Sequence, residues 1–324
     1  MQQRYASPAL APSRLALDHN GPVSRPFAPF AERDLATPLF ALFERAARAH
    51  ADRIALDDGA VRLSYAETLA AAHGLAAQLV RDTRPDELIG ILLPTSADFA
   101  IAMLACFAAE RLFVPLDLHY PREWIANVME DAAMTVLIGR FDGETRNLVP
   151  EGVRLIDVAA RGAGTLPEIV GQPDAPAFVL FTSGSTGRPK GIVNSQRALL
   201  RRVQQYVNAA HIGSDDNFLP LSSECTIAGL RERLTALLTG ATLHLVDVQR
   251  AGARQILRAL PERAITIKAV KSGATSRKMI MIIRLPIMAP PPSKARLVDD
   301  CMITTPPLAS ARTEIRGSAC HPVK

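Results

Sequence analysis

The chain has 324 residues, 48% of them hydrophobic and 21% charged, with Lys+Arg 37 against Asp+Glu 32 and a formal net charge of +5. This length and balance exclude wholesale disorder and allow a sizeable core. The longest apolar run, Phe99 to Ala109, lies between Asp98 and Glu110 and is far short of the roughly 20 residues of a membrane helix; four scattered cysteines without a Cys-x-x-Cys pair argue against a disulfide framework or a structural zinc.

Residues 1–36 carry Pro8, Pro12, Pro22, Pro26 and Pro29 without a sustained period and read as an irregular, surface-wrapping leader. With no apolar signal segment behind Met1-Gln2-Gln3-Arg4, a cytoplasmic location is expected. A helix is predicted near 38–50 and a strand at Ile54-Ala55-Leu56. Ser64-x-x-Glu67 is a capping box opening a helix with Tyr65, Leu69, Ala72, Ala76 and Leu79 at helical spacing. A strand at Leu88–Leu93, a helix with a Phe99, Met103 and Cys106 stripe, a strand at Phe113-Val114-Pro115-Leu116, a helix around Trp124–Met129 and a strand at Thr135–Ile138 follow. This alternation predicts an α/β fold, sheets flanked by helices. The seven histidines are dispersed, in no metal or triad spacing, and read as surface or satisfied core residues.

Ala177–Phe181 reads as a buried strand running into Thr182-Ser183-Gly184-Ser185-Thr186-Gly187-Arg188-Pro189-Lys190-Gly191. Glycines let bare N–H groups approach a ligand, and the hydroxyls and Lys190 add donors and a positive charge, which is the chemistry of a polyphosphate site. It is not a Walker A loop, since Arg188-Pro189 follows Gly187 and Gly191 follows Lys190. Pro189 disfavours helix at Arg188, and Ile192-Val193 predict a return strand, so the loop reads as a hairpin lid. The bland alternative is a Gly/Ser surface turn with Lys190 solvated.

Thr182 to Gly191 resembles the phosphate-binding signature of the adenylate-forming superfamily of acyl-CoA synthetases, luciferases and nonribosomal peptide synthetase adenylation domains. The resemblance covers about residues 38–260. Leu63-Ser64-Tyr65-Ala66-Glu67 is similar to the family's first core motif, with Thr68 where leucine is usual. Phe107–Asp117 with Tyr120-Pro121 is similar to the second, with Glu110 in place of a usual glycine, and the pair points to peptide-synthetase adenylation domains. Gln196 stands where the family usually has a histidine. The resemblance implies ATP and Mg2+ as cofactors, a small carboxylic acid as substrate, and acyl transfer to a carrier-protein thiol. It implies phosphate contacts from Thr182, Ser183, Ser185, Thr186 and Lys190, with Gly184, Gly187 and Gly191 supplying backbone freedom.

Downstream, Ser195 is expected to cap a helix carrying Leu199, Val203 and Tyr206, Phe218–Leu221 to form a strand, and Leu230, Leu234 and Leu237 to mark a helix stopped by Gly240. Thr226-Ile227-Ala228-Gly229 then falls where amino-acid-activating members carry Phe-Asp-x-Ser, whose aspartate pairs with the substrate ammonium. Ile227 cannot make that pair. Either the substrate lacks an α-amine, or Ile227 faces the core and the chemistry moved or was lost.

Residues 262–324 carry +7, which leaves −2 for residues 1–261. This stretch has no Phe, Tyr or Trp, half the methionines, and Pro290-Pro291-Pro292. Ala264–Ile267 still reads as a strand and Met279–Ile283 as a short apolar element, after which no period persists. The scattered charges without interleaved aromatics argue against nucleic acid. The expectation is a change of reading frame, with lineage-specific sequence as the rival. The expected organisation is thus a leader to 36, a partial adenylation domain over 37–261, and an aberrant basic tail. None of the family's adenine, ribose, hinge or C-terminal lysine motifs is found in 262–324, so an N-terminal portion inactive by itself is expected, with a nucleotide- or partner-binding module as the alternative.

Overall fold

The computed structural model describes residues 27–141, 143–159, 171–183 and 189–247, together with the backbone of 266–270 and 280–284. In chain order a 3-10 helix Glu32–Ala36 leads to α1 (Leu39–Ala49), β1 (Ile54–Asp57), β2 (Arg62–Ser64), α2 (Tyr65–Asp82), β3 (Ile89–Leu92) and α3 (Ala97–Ala108). Next come β4 (Phe113–Leu116), α4 (Arg122–Asp131), β5 (Val136–Gly139), a single turn α5 (Gly143–Arg146), β6 (Arg154–Asp157), β7 (Pro176–Ser183) and β8 (Pro189–Ser195). Then follow α6 (Gln196–Ala210), β9 (Asn217–Phe218), α7 (Ile227–Thr239), β10 (Thr242–His244), and an antiparallel pair β11 (Thr266–Val270) and β12 (Ile280–Arg284).

Six strands form one sheet in the order β6-β5-β3-β4-β7-β8, parallel except for the β7–β8 hairpin. Strand periodicity sorts its side chains onto two faces. Ile89, Ile91, Phe113, Val136, Ile138, Phe178 and Leu180 join the larger core with α3, whereas Leu92, Val114, Leu116, Leu137 and Val179 pack with Ile125, Val128 and Met129 of α4. The crossover β3-α3-β4 moves one way along the sheet and β4-α4-β5 the other, so right-handed connections put α3 and α4 on opposite faces. Every residue of α3 is buried, which explains why its sequence is apolar all round. Each fully buried Leu, Ile or Phe contributes about 1.5–3 kcal/mol.

A four-stranded sheet, β2-β1-β10-β9, joins residues far apart in the chain: Leu56 pairs with Leu243. The buried Tyr65 hydroxyl ties its neighbourhood to α7, donating to Ala236 O (3.0 Å) and Ala241 O (2.7 Å), and burial raises its pKa. The strand expected over Phe218–Leu221 ends at Phe218, since Pro220 has no N–H to offer a ladder.

The leader is held from Phe27 onward. Phe27 stacks on His211 with centroids 4.3 Å apart, and Phe30 exchanges hydrogen bonds with the Asn208 amide at 2.8 and 3.1 Å. α1 begins after Pro38 with no side-chain cap of its own. Buried Gln196 supplies one from 157 positions away, its Oε1 accepting from Leu39 N at 2.8 Å, so the residue standing at the family's histidine position has a structural use.

α3 ends in a Schellman turn: Arg111 N donates to Cys106 O (2.9 Å), Glu110 N approaches Phe107 O (3.4 Å), and Glu110 has φ +51. A left-handed residue with a Cβ costs about 1–2 kcal/mol, and glycine gives part of that back as backbone entropy. Glu110→Gly is therefore expected to stabilise the protein by about 0.5–1 kcal/mol, measured as an upward shift of the denaturation midpoint.

Candidate functional site

The β7–β8 hairpin carries the predicted phosphate loop. Its ladder pairs Phe181 with Gly191, Thr182 with Lys190 and Ser183 with Pro189, which brings Thr182, Lys190 and Gly191 together at the hairpin's mouth. Thr182 and Lys190 are exposed, and Thr182 Oγ1 lies 3.4 Å from the Lys190 carbonyl, as donor to it. Gly191 packs tightly: a Cβ there would sit 3.0 Å from Val179 Cγ1 and 3.1 Å from Phe181 Cζ, so those side chains would have to shift by a few tenths of an ångström to admit one. Gly184, Ser185, Thr186, Gly187 and Arg188 lie outside the described residues, as does the Ser183 side chain.

The second wall is built from the end of β4 and the start of α7. Thr226 caps α7, accepting from Gly229 N at 3.0 Å, and its hydroxyl donates to Ser223 O at 2.8 Å. Ile227 follows, half-buried against the main core. Just before the cap, Cys225 Sγ reaches Pro115 O at 3.1 Å and Ser223 Oγ donates to Asp117 Oδ2 at 2.7 Å. Leu116, Tyr120, Trp124, Phe181 and Cys225 line one small cleft. The base of the hairpin and the chain entering α7 thus share a wall at the carboxyl ends of β4 and β7, where open α/β sheets bind ligands.

Asp117 is the electrostatic hub. Burial works to raise its pKa, but the His119 N–H (2.9 Å), the Ser223 hydroxyl and the His119 ring (2.7 Å) outweigh it and hold the carboxyl below its usual range. His119 Nε2 in turn lies 3.1 Å from Asp247 Oδ2, linking the end of β4 to the segment after β10. A carboxyl depressed in the folded state adds stability above its unfolded pKa, near 4, that is lost as pH falls through the folded value. Asp117→Asn is expected to lose about 2 kcal/mol at neutral pH, with the gap to wild type closing in acid; urea titrations between neutral and acidic pH would measure it.

Burial raises the pKa of the Cys225 thiol, and the Asp117 and Glu224 carboxylates add to the effect. It is a protonated thiol rather than a ready nucleophile. Glu224 is engaged by Arg233, whose side chain is almost completely buried, donates to Gly229 O (3.0 Å) and Ser222 O (3.2 Å), and lies over Phe99.

Of the residues singled out in sequence, Thr182, Lys190 and Gly191 gather at the hairpin, while Thr226 and Ile227 stand next to the cleft rather than in its lining. Asp117, His119, Ser223 and Asp247 were not foreseen as a group. The one available signal was Asp117 inside the second motif. No helix among the described residues is long and apolar enough to cross a membrane.

A family model described as AMP-binding enzyme matches residues 43–272. The chain is 30% identical over 254 residues to the probable non-canonical nonribosomal peptide synthetase CymA of Salinispora arenicola, covering 76% of this chain and 3% of that protein. Among solved structures, the AMPPNP-bound form of the nonribosomal peptide synthetase FmoA3 superposes with a TM-score of 0.63 at 26% identity, covering 69% of this chain and 24% of the other. The Klebsiella oxytoca NpsA N-terminal subdomain in complex with 3-hydroxybenzoyl-AMSN gives 0.56 at 25% identity, with 65% and 53% covered. The chain therefore spans only a small part of the synthetase and about half of that subdomain. With that family model matching residues 43–272, well over half of its length, the chain belongs to the AMP-binding enzyme family.

Proposed function

We propose that this chain carries the nucleotide-phosphate and acid-binding part of an ATP-dependent, adenylate-forming ligase, its domain running over residues 37–261. The observation that carries the reading is the exposed pairing of Thr182 with Lys190 at the end of β7, beside the wall that leads into α7. Lys190, Thr182, Ser183, Ser185 and Thr186 would hold phosphate oxygens, with Gly184, Gly187 and Gly191 letting the backbone close over them. In the reaction a carboxylate oxygen attacks the α-phosphorus of ATP, the bond to the β-phosphate oxygen breaks, and pyrophosphate leaves; a carrier thiol would then attack the acyl carbon, the bond from that carbon to the AMP oxygen breaking as AMP leaves. The protein's part is to align the two ligands and oppose their charge. Mg2+ would come with the nucleotide and offset the charge of its phosphates.

The acid favoured is one without an α-amine. Ile227 offers no counter-charge, the nearby Asp117 and Glu224 carboxylates are engaged by His119, Ser223 and Arg233, and the N-terminus of α7 disfavours a cation. The solved relatives fall on both sides, the NpsA subdomain holding 3-hydroxybenzoyl-AMSN and FmoA3 an α-methyl-L-serine-AMP, so this preference rests on Ile227 and the engaged carboxylates. Since residues 262–324 carry none of the family's remaining motifs, the 324-residue chain is proposed to bind nucleotide without turning over.

Two measurements test this. AMPPNP should bind and Lys190→Ala should weaken it by roughly tenfold or more, the loss of one charge-assisted phosphate contact. In ATP–pyrophosphate exchange, neither 3-hydroxybenzoate nor serine should elicit label transfer. Failure of AMPPNP to bind would overturn the nucleotide reading, exchange with 3-hydroxybenzoate the inactivity, and exchange favouring serine the substrate class as well.

A further inference from the structure

We propose that a second cavity, at the carboxyl ends of α1, α6 and α7, binds a small organic monocation: an ammonium group carried on an aromatic or short alkyl body. The inference is independent of the nucleotide and acid site. The cavity has a volume of about 420 Å3, within the range of small-molecule pockets. His50, His211 and Thr239, which end the three helices, all line it. The opposite end of α7 holds the Thr226 cap beside the cleft. At 1.5 Å per residue, the two sites stand about 20 Å apart along that helix.

The lining has an apolar part and an anionic part. Leu42, Val207, Ile212 and Leu238 come from the helices and their ends, and Phe27 and Phe30 from the segment before α1. The Phe27 ring is fixed by its stack on His211. These side chains suit the body of a ligand, which a bare metal ion would leave unused. Three carboxylates line the same space, Asp34 and Asp216 buried and Asp215 exposed, against one guanidinium, Arg45. Arg45 holds Asp34 at 2.9 Å, and Arg53, from outside the lining, approaches Asp215 at 3.5 Å. Asp216 accepts from Gly213 N at 2.9 Å. An ionised carboxyl has about four acceptor positions, so each can take a further N–H beside the partners it has.

The helices add to this field. The carboxyl end of a helix carries partial negative charge, which a basic residue in the last turn usually answers. α1 has Arg48 there, whereas α6 and α7 have no basic residue in theirs. Nor does His50 supply a charge: burial and the Arg53 guanidinium lower its pKa against a smaller opposing pull from Asp215. Its ring lies against Gly240, where a Cβ would come within 2.3 Å of His50 Cδ2, so this wall is held in place. An anion would meet carboxylates and helix carboxyl ends together, which selects a cation.

The probe is 2-phenylethylamine, titrated calorimetrically into the full 324-residue protein at neutral pH, with 2-phenylethanol and 3-phenylpropionate as its neutral and anionic counterparts. The amine should bind one-to-one and at least roughly tenfold tighter than the alcohol, the gain from one charge-assisted hydrogen bond. Phe27→Ala, which removes a wall, and Asp34→Asn, which removes a charge, should each weaken the amine by roughly tenfold. Glu151→Gln, at an exposed carboxylate before β6, should leave its affinity unchanged. Cooperative unfolding retained in each variant would show that the fold is intact. Equal affinity for amine and alcohol, tighter binding of 3-phenylpropionate, or an affinity indifferent to both Phe27→Ala and Asp34→Asn would overturn the inference. So would displacement of the amine by AMPPNP, which would put it in the nucleotide cleft instead.

Discussion

Arg233→Leu is expected to cost about 3–5 kcal/mol, because it leaves Glu224 buried without its counter-ion. Both side chains are shielded, at 2% and 8% exposure, so solvent offers little screening. The guanidinium also satisfies the carbonyls of Ser222 and Gly229, which would lose a donor. Breaking the pair from the other side, with Glu224→Leu, should cost a similar amount. The double variant should be far less damaged than the two losses summed, since removing both charges also removes the desolvation cost of each. Urea unfolding of the four proteins completes the cycle. Additive losses would show that Arg233 acts through packing on Phe99 rather than through its charge.

Gly229→Ala is the second large effect. In an ordinary helix this exchange gains about 1 kcal/mol. Here the new Cβ would lie 2.0 Å from Ser223 O and 2.9 Å from Ser222 O, both backbone atoms that cannot swing aside. A net loss of about 3 kcal/mol is expected, with the turn at 222–226 forced away from α7. That turn carries the hydroxyl holding Asp117 and the cap of α7, so the substitution should also loosen the cleft. A thermal midpoint equal to or above wild type would show that the turn moves freely.

The features legible in sequence were those set by local chemistry. Ser64 and Glu67 form the reciprocal cap they spell out, Ser195 accepts from Ala198 N, and Gly240 ends α7 at φ +81. The return strand after the loop forms as Ile192-Val193 predict, and β12 covers most of the apolar stretch Met279–Ile283, whereas β11 meets the expected Ala264–Ile267 strand only at Thr266 and Ile267 and runs on to Val270. What escaped was long-range pairing of polar groups. The helix marked in sequence by Leu230, Leu234 and Leu237 gave no sign that Glu232 accepts from Leu221 N and Ser222 N or that Arg233 is buried. His119 reads as one dispersed histidine among seven, and only the fold brings Asp247 to its far nitrogen. Glu110 could be flagged in sequence as a departure from glycine, but its left-handed backbone could be seen only in the turn.

The pairing of Leu56 with Leu243, and of Gln196 with the start of α1, has a consequence for synthesis. A ribosome delivers β1 and α1 long before β10 and α6 exist, whereas β3, β4 and β5 follow one another through α3 and α4 and can assemble as they emerge. The six-stranded sheet is therefore the natural nucleus, and the amino-terminal helix and strand ride unfinished until residue 244 has left the exit tunnel. During that interval Leu39, Phe43 and Leu56, all later sealed in the core, are open to chaperones and proteases until β10 arrives.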